Sequence, residues 1–224
     1  MNQETWSAVD NYIIETLLPP DESLKRAIEA SDEAGLPPIQ VSAPQGKLMW
    51  ILARIHGAKR ILEIGTLGGY STIWMARALP PGGRLVTMEI DPRHADVAKS
   101  NIARAGLADR VEVLVGDAHE LLPELEKRND GPFDISFIDA DKASIPFYFE
   151  SALRMSRPGS LILVDNVVRD GAVLDADSDD ASVKGVRKLN EMIAADPRVT
   201  ATVLQTVGLK GYDGVAIALV NSNS

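Results

Sequence analysis

Residues 61–71 read Ile-Leu-Glu-Ile-Gly-Thr-Leu-Gly-Gly-Tyr-Ser, a short apolar run that breaks into glycines and resumes with helical spacing. A brief apolar run bounded in this way reads as a strand buried on both faces. Further runs follow at 84–90, 111–115, 133–138 and 161–164, and each of the first four strands leads through a turn into a helical stretch. Alternating strand and helix implies a parallel sheet with helices on both faces, an α/β fold. Two last strands, near 199–204 and 214–220, are joined by Gly208, Gly211 and Asp213, close enough in sequence for an antiparallel hairpin.

The helices are punctuated in the sequence. Asp91 can cap a helix whose first position suits Pro92, whose Ala95, Ala98, Ile102 and Ala105 recur on one face, and which Gly106 ends. Ser42 can cap another, and there Leu48, Ile51, Leu52 and Ile55 fall at i, i+3, i+4 and i+7, which predicts that this stripe covers a sheet face. Residues 4–34 read as two amphipathic helices broken at Pro19 and Pro20. They form an N-terminal helical extension over 1–40, ahead of a single domain over 41–224.

Composition narrows the chemistry. The 224 residues carry no Cys, which excludes a disulfide framework, a Cys-bearing zinc site, an iron–sulfur cluster and a cysteine nucleophile. The net charge of −9 argues against affinity built on neutralising many phosphates. Much of the imbalance sits in residues 1–40, where Lys25 and Arg26 are the only basic side chains. No segment approaches the ~18 uninterrupted apolar residues of a membrane span, and the chain is expected to be cytoplasmic.

The glycines after the first strand let backbone approach a nucleotide-like ligand at the start of a helix. Leu67 occupies the second glycine position of a Gly-x-Gly-x-x-Gly fingerprint, which counts against a dinucleotide. Glu63 would project a carboxylate into the same mouth, unfavourable to a diphosphate and suited to the sulfonium and ammonium of S-adenosylmethionine. Glu89, at the end of the second strand, is 24 residues past Gly65, near the ~20-residue offset of a ribose-binding acid. The third strand ends in Gly116-Asp117-Ala118-His119, where His119 reads as a surface or capping residue. The fourth and fifth run into Asp139-Ala140-Asp141-Lys142 and Asp165-Asn166. Two carboxylates and a carboxamide suit a hard cation such as Mg²⁺, and they read equally as caps and a polar loop.

Leu62-Glu63-Ile64-Gly65-Thr66-x-x-Gly69-Tyr70-Ser71, Met88-Glu89-Ile90-Asp91, Phe137-Ile138-Asp139-Ala140-Asp141-Lys142 and Val164-Asp165-Asn166 closely resemble the divalent-metal- and S-adenosylmethionine-dependent O-methyltransferases of the catechol and caffeoyl-coenzyme A group. Val41-Ser42-Ala43-Pro44-Gln45-Gly46 and Ala195-Asp196-Pro197-Arg198-Val199 are also similar to that family, so by motif order the match covers about residues 40–220. The resemblance implies a Rossmann-like seven-stranded methyltransferase sheet of order 3-2-1-4-5-7-6 with its last strand antiparallel. It implies Asp139, Asp165 and Asn166 as ligands of Mg²⁺ or another divalent cation such as Ca²⁺ or Mn²⁺, with Asp139 and Lys142 catalytic and Lys142 the base. It further implies Val41, Glu63, Gly65, Thr66, Ser71, Glu89, Ala118 and Asp139 as contacts of S-adenosylmethionine, a small catechol-like acceptor, and a homodimer.

The expected chemistry is methyl transfer to a phenolic oxygen whose pKa, ordinarily ~10, falls on a dication. A lysine beside a dication accepts a proton more readily than a free one, whereas the bland alternative for Lys142 is an exposed surface lysine. Other readings are O-methylation of a hydroxylated nucleoside in tRNA, against which the acidic balance weighs, an NAD-dependent oxidoreductase, disfavoured by Leu67, and a non-catalytic cofactor-binding module. Two departures leave the acceptor open. A further carboxylate of the animal catechol enzymes has no counterpart here, and the plant coenzyme A-thioester contacts near the N-terminus are not recognisable. The apolar positions Ile13, Ile14, Leu17 and Leu18 predict that the N-terminal helices pack against a partner subunit or over the acceptor site.

Overall fold

The computed structural model describes residues 2–222, so the expected domain bounds at 1 and 224 lie outside the described residues. Five parallel strands, β1 (Arg60–Ile64), β2 (Arg84–Glu89), β3 (Val111–Val115), β4 (Phe133–Ile138) and β5 (Ser156–Asp165), are completed by β6 (Val199–Gly208) and β7 (Gly211–Val220). The sheet order is β3-β2-β1-β4-β5-β7-β6, and β7 runs antiparallel to both its neighbours. The expected topology is therefore the observed one. The hairpin ladder is longer than its apolar pattern, closing at Gly208 opposite Gly211, because paired backbone carries it through the polar Gln205, Thr206, Tyr212 and Asp213.

Eight helices follow in chain order among the described residues: α1 (Gln3–Leu17), α2 (Glu22–Glu33), α3 (Ala43–His56), α4 (Tyr70–Ala76), α5 (Pro92–Arg104), α6 (Ala118–Lys127), α7 (Ile145–Arg154) and α8 (Ala181–Ala195). Alternation along each strand sends side chains to two cores. Leu62, Ile64, Val86 and Met88 pack with α6, α7 and α8. Ile61, Leu85, Ile135 and Phe137 pack with α3, α4 and α5. With both faces covered, the central strands read as nearly unbroken apolar runs.

Helix α3 covers the sheet face as expected, with Met49 and Ala53 in the second core and Leu52 packed against it, but the rest of the expected stripe points outward. Leu48, Ile51 and Ile55 are 40%, 39% and 79% exposed, and the buried residues of α3 are Gly46, Met49 and Ala53. The helix approaches α4 so closely that a Cβ at Gly46 would overlap the Trp74 ring, and that approach selects the face with the smaller side chains. The N-terminal helices dock on the same body. Leu24 and Ala27 of α2 belong to the second core, and Asp21 pairs with Arg77 of α4 at 2.5 Å. Asp10 of α1 accepts the Leu209 N–H at the hairpin tip at 2.8 Å.

A 3₁₀ turn, Lys142–Ser144, follows β4 and lies against α8, where a Cβ at Gly185 would overlap the backbone carbonyl of Lys142. Alanine is favoured over glycine inside a helix by ~1 kcal/mol. Gly185→Ala is nonetheless predicted to destabilise the protein by about 1–3 kcal/mol, because two backbones must separate to admit a methyl group. An unchanged or raised urea midpoint would contradict that close packing.

Candidate active site

The sheet order reverses between β1 and β4, the point at which open α/β sheets form a ligand crevice outside the strands' C-terminal ends. A cavity of about 800 Å³ opens there. Gly65, at φ +100°, lies where any Cβ would strike the carbonyl of Asp139, so the loops after β1 and β4 meet backbone to backbone. Leu67 takes a left-handed φ of +50° and donates its N–H to Glu89 Oε2 at 2.7 Å. Asp91 donates its N–H to Oε1 of the same carboxylate at 2.9 Å. Glu89 thus staples two strand ends together and keeps free lone pairs for a hydroxyl ligand.

Val41, Gly65, Thr66, Ser71, Glu89, Ala118 and Asp139, expected as cofactor contacts, all line this cavity. Glu63 does not. It is fully buried beneath the wall and accepts from the hydroxyls of Ser71 and Thr72, each at 2.5 Å, so its carboxylate addresses the cavity through Ser71 instead of projecting into the mouth. Strand alternation is the cause, since Glu63 faces α4 as Ile61 does. His119 lies off the wall, stacked on Phe147 at 4.6 Å and bonded through Nδ1 to Asp117 at 3.0 Å, the surface role expected of it.

Lys142 is buried, and its Nζ donates to Asp139 Oδ1 at 2.8 Å, so it is not a surface lysine. Asp141 holds the turn, accepting the Ser144 N–H at 3.0 Å and the Tyr148 hydroxyl at 2.5 Å. Burial, reinforced by Asp141, raises the Tyr148 phenol, which stays neutral and donates. The pairing of Ile138 with Val164 brings Asp139 and Asp165 to the ends of adjacent strands. Asn166, at φ +59°, lines the cavity, while Asp165 lies just behind the wall and accepts the Asn166 N–H at 2.9 Å. Burial first, and then the neighbouring Asp139 carboxylate, raise Asp165 well above the ordinary carboxylate range, with Lys142 opposing them.

Among the described residues no three Asp, Glu or His side chains gather as a metal-holding group; the expected set is two carboxylates and a carboxamide. That donor set fits a divalent cation. It is all oxygen, and the carboxylate of buried Asp165 beside that of half-buried Asp139 is a repulsion that a hard dication would offset. The sequence reading missed Ala27, Ile28 and Ser31 of α2, Tyr148 and Arg169, all on the wall. Tyr148 lies seven residues past Asp141, a helical spacing that could have been noticed. The α2 residues carry no motif.

A seven-stranded sheet with a glycine loop after β1, a stapling acid after β2 and a cofactor-sized cavity at its switch point defines the Rossmann-like methyltransferase class. The chain belongs to the O-methyltransferase family, whose sequence model matches residues 16–219, and it is an S-adenosylmethionine-dependent O-methyltransferase. It is 53% identical over 220 residues to a catechol O-methyltransferase of Niastella koreensis, covering 98% of this chain and 100% of that one. It is 52% identical to a catechol O-methyltransferase of Mycobacterium tuberculosis, over 95% of this chain and 94% of the relative. Among solved structures, the O-methyltransferase of Bacillus cereus in complex with SAH superposes with a TM-score of 0.97 at 54% identity, covering 98% of this chain and 100% of that one. TomG of Streptomyces achromogenes, involved in tomaymycin synthesis and solved in complex with SAM, gives 0.96 at 54% identity, covering 99% and 100%. No helix among the described residues is long and apolar enough to cross a membrane.

Glu63 generates a pH prediction. Burial, outweighing the hydroxyl hydrogen bonds, pushes its carboxyl from 4.5 up to about 7. Between those values the folded state binds more protons than the unfolded chain, so this group makes stability fall as pH rises through the window. Urea midpoints of the cofactor-free protein should drop more between pH 5 and pH 8 for wild type than for Glu63→Gln. Equal drops would show that Glu63 is ionised throughout.

Proposed function

We propose that the enzyme methylates one hydroxyl of a small catechol-like acceptor, with Asp139, Asp165 and Asn166 holding a divalent cation and Lys142 serving as general base. The observation that carries this reading is the pairing of buried Lys142 with half-buried Asp139, 2.8 Å long, on the cavity wall with Asn166. A buried ammonium at a cavity is costly to stability unless it has work to do. The two relatives named catechol O-methyltransferase support the acceptor class.

The cation, when bound, supplies charge that lowers the pKa of a chelating hydroxyl. Lys142 Nζ, after releasing its own proton to solvent, would accept the hydroxyl proton as the neutral amine, with Asp139 hydrogen-bonded to it and among the residues that would hold the cation. Glu89 accepts from the ribose hydroxyls, and Val41, Gly65, Thr66, Ser71 and Ala118 line the remainder of the cofactor's bed, with Glu63 orienting Ser71 from below. Holding oxygen, methyl carbon and sulfur in line accounts for much of the acceleration. The switch-point geometry aims the cofactor loops after β1, β2 and β3 at the catalytic loops after β4 and β5.

A homodimer is part of the proposal. Leu204 and Leu219 are exposed on the sheet face of Ile217, and Leu48, Ile51 and Ile55 of α3 are exposed as well. Strand β6 is also an unpaired sheet edge. Such an apolar edge favours a second copy of the same chain. Sedimentation of the intact chain at micromolar concentration should give a dimer, and a monomer would remove this element of the proposal.

Lys142→Met should lower the transfer rate at neutral pH by at least ~10²-fold, with the deficit shrinking at high pH as solvent takes the proton. An unchanged rate would leave Lys142 without a catalytic role. Chelator should abolish turnover of a catechol and Mg²⁺ should restore it. Asp165→Ala should lose turnover while calorimetry still registers S-adenosylmethionine binding; full activity in excess chelator would sink the metal reading.

A further inference from the structure

We propose that Arg169 forms an anion-recognising subsite in the acceptor pocket, and that the acceptor is a catechol bearing a carboxylate. This inference rests on the catechol reading above and narrows it to one class of acceptor.

Arg169 stands on the cavity wall in the turn that leaves β5, three residues beyond Asn166. Its backbone is left-handed, φ +58°, as is that of Asp170 at +55°. L side chains adopt that region rarely and need the surroundings to hold them there. Asp213 of β7 does so, its Oδ1 accepting the N–H groups of Val168, Arg169 and Gly214, each at 2.9 Å. The direction in which Arg169 leaves the chain is therefore set by β7 through the backbone.

The guanidinium itself is poorly satisfied. The wall carries three side chains able to bear positive charge, Lys142, His94 and Arg169. Lys142 is bonded to Asp139 at 2.8 Å, and His94 sits 3.7 Å from Glu89 and 3.9 Å from Asp91. Arg169 faces Asp213 Oδ2 only at 4.0 Å, beyond hydrogen-bond reach, and its Nε is buried with no hydrogen-bond partner. A guanidinium presents five donors in a rigid fork, and a buried donor left unpaired costs free energy. The group that matches the fork is a carboxylate bound through two oxygens. A monoanion suits this wall better than a phosphate dianion, because Asp117, Asp139 and Asp141 also line it and repel the higher charge more strongly. One turn thus supplies both Asn166 for the hydroxyl end and Arg169 for the acid end of the same acceptor.

Initial rates on 3,4-dihydroxybenzoate and on its methyl ester, which has the same diol and no charge, test the assignment. In wild type, kcat/KM should favour the acid by ~10-fold or more, the value of a charge-assisted hydrogen bond. Arg169→Gln should reduce that ratio at least ~10-fold, and Arg169→Lys should leave it between the two, because lysine keeps the charge and loses the fork. A ratio cancels any general loss of packing or folding. Titration of both compounds into the enzyme with Mg²⁺ and S-adenosylhomocysteine supplies a readout independent of turnover. Acid binding that depends on Arg169 without methyl transfer would keep the subsite and overturn the catechol reading. Methylation of the ester with an acid-to-ester ratio near one, or a ratio unmoved by Arg169→Gln, would overturn the subsite and keep that reading. Failure of both compounds to bind would overturn the subsite.

Discussion

The contact between the backbones of Gly65 and Asp139 is the constraint on which the site depends. Asp139 donates its N–H to Ile64 at 2.8 Å, and Gly65 donates its own to Met88 at 3.0 Å, so the ladder continues one residue past the strands and ties β2, β1 and β4 together at their tips. Any side chain at Gly65 would force the β1 and β4 loops apart. That would separate the β1 wall from the β4 wall that bears Lys142, and the proposed in-line transfer tolerates little displacement. A residue without a side chain is therefore as necessary here as the charged ones.

Charge compensation is uneven around the cavity, and the unevenness carries meaning. Glu89 has two backbone N–H partners, and Asp139 has an ammonium. Asp165, more deeply buried, accepts the Asn166 N–H and faces the Asp139 carboxylate, with Lys142 and Gln45 offsetting part of its burial. Desolvation without full pairing is expensive in the interior, so the β4–β5 side is organised to receive positive charge. Backbone strain accompanies it. Asn166, Arg169 and Asp170 all have positive φ, at about 1–3 kcal/mol for a residue held in a sparsely populated region and less for Asn and Asp, which tolerate it. The carboxylate of Asp213, from the last strand, offsets part of that strain and couples the hairpin to the turn after β5.

The sheet was legible in the sequence because its strands are buried on both faces, and burial leaves runs such as 161–164 with little choice but apolar residues. The wall residues at strand ends were legible for a related reason, since parallel topology delivers each of them to one edge. What escaped the reading were matters of facing. Helical spacing identified α3 but not its seat, because Leu48, Ile51 and Ile55 obey the same period as Gly46, Met49 and Ala53, and only the nearness of Trp74 chooses between the stripes. Glu63 is expected in the mouth of the cavity, whereas its placement beneath the wall follows from which side of β1 meets α4. Arg169 carries no signal at all in sequence. Its position follows from a backbone fixed by Asp213, 44 residues away.

The N-terminal extension shows how a peripheral element enters the chemistry. Asn101 of α5 donates to the carbonyls of Ala27 in α2, at 3.3 Å, and of Gly68 in the glycine loop, at 2.9 Å. One buried carboxamide therefore links the helix that roofs the cavity to the loop that forms its floor. Ala27, Ile28 and Ser31 add cavity wall on the α2 side. A ligand touching both elements has higher affinity when α2 is docked, and by linkage its binding stabilises that docking by the same free energy. Helix α2 is in this respect part of the cavity, and its Leu24 and Ala27 pack in the core it shares with α4 and α5.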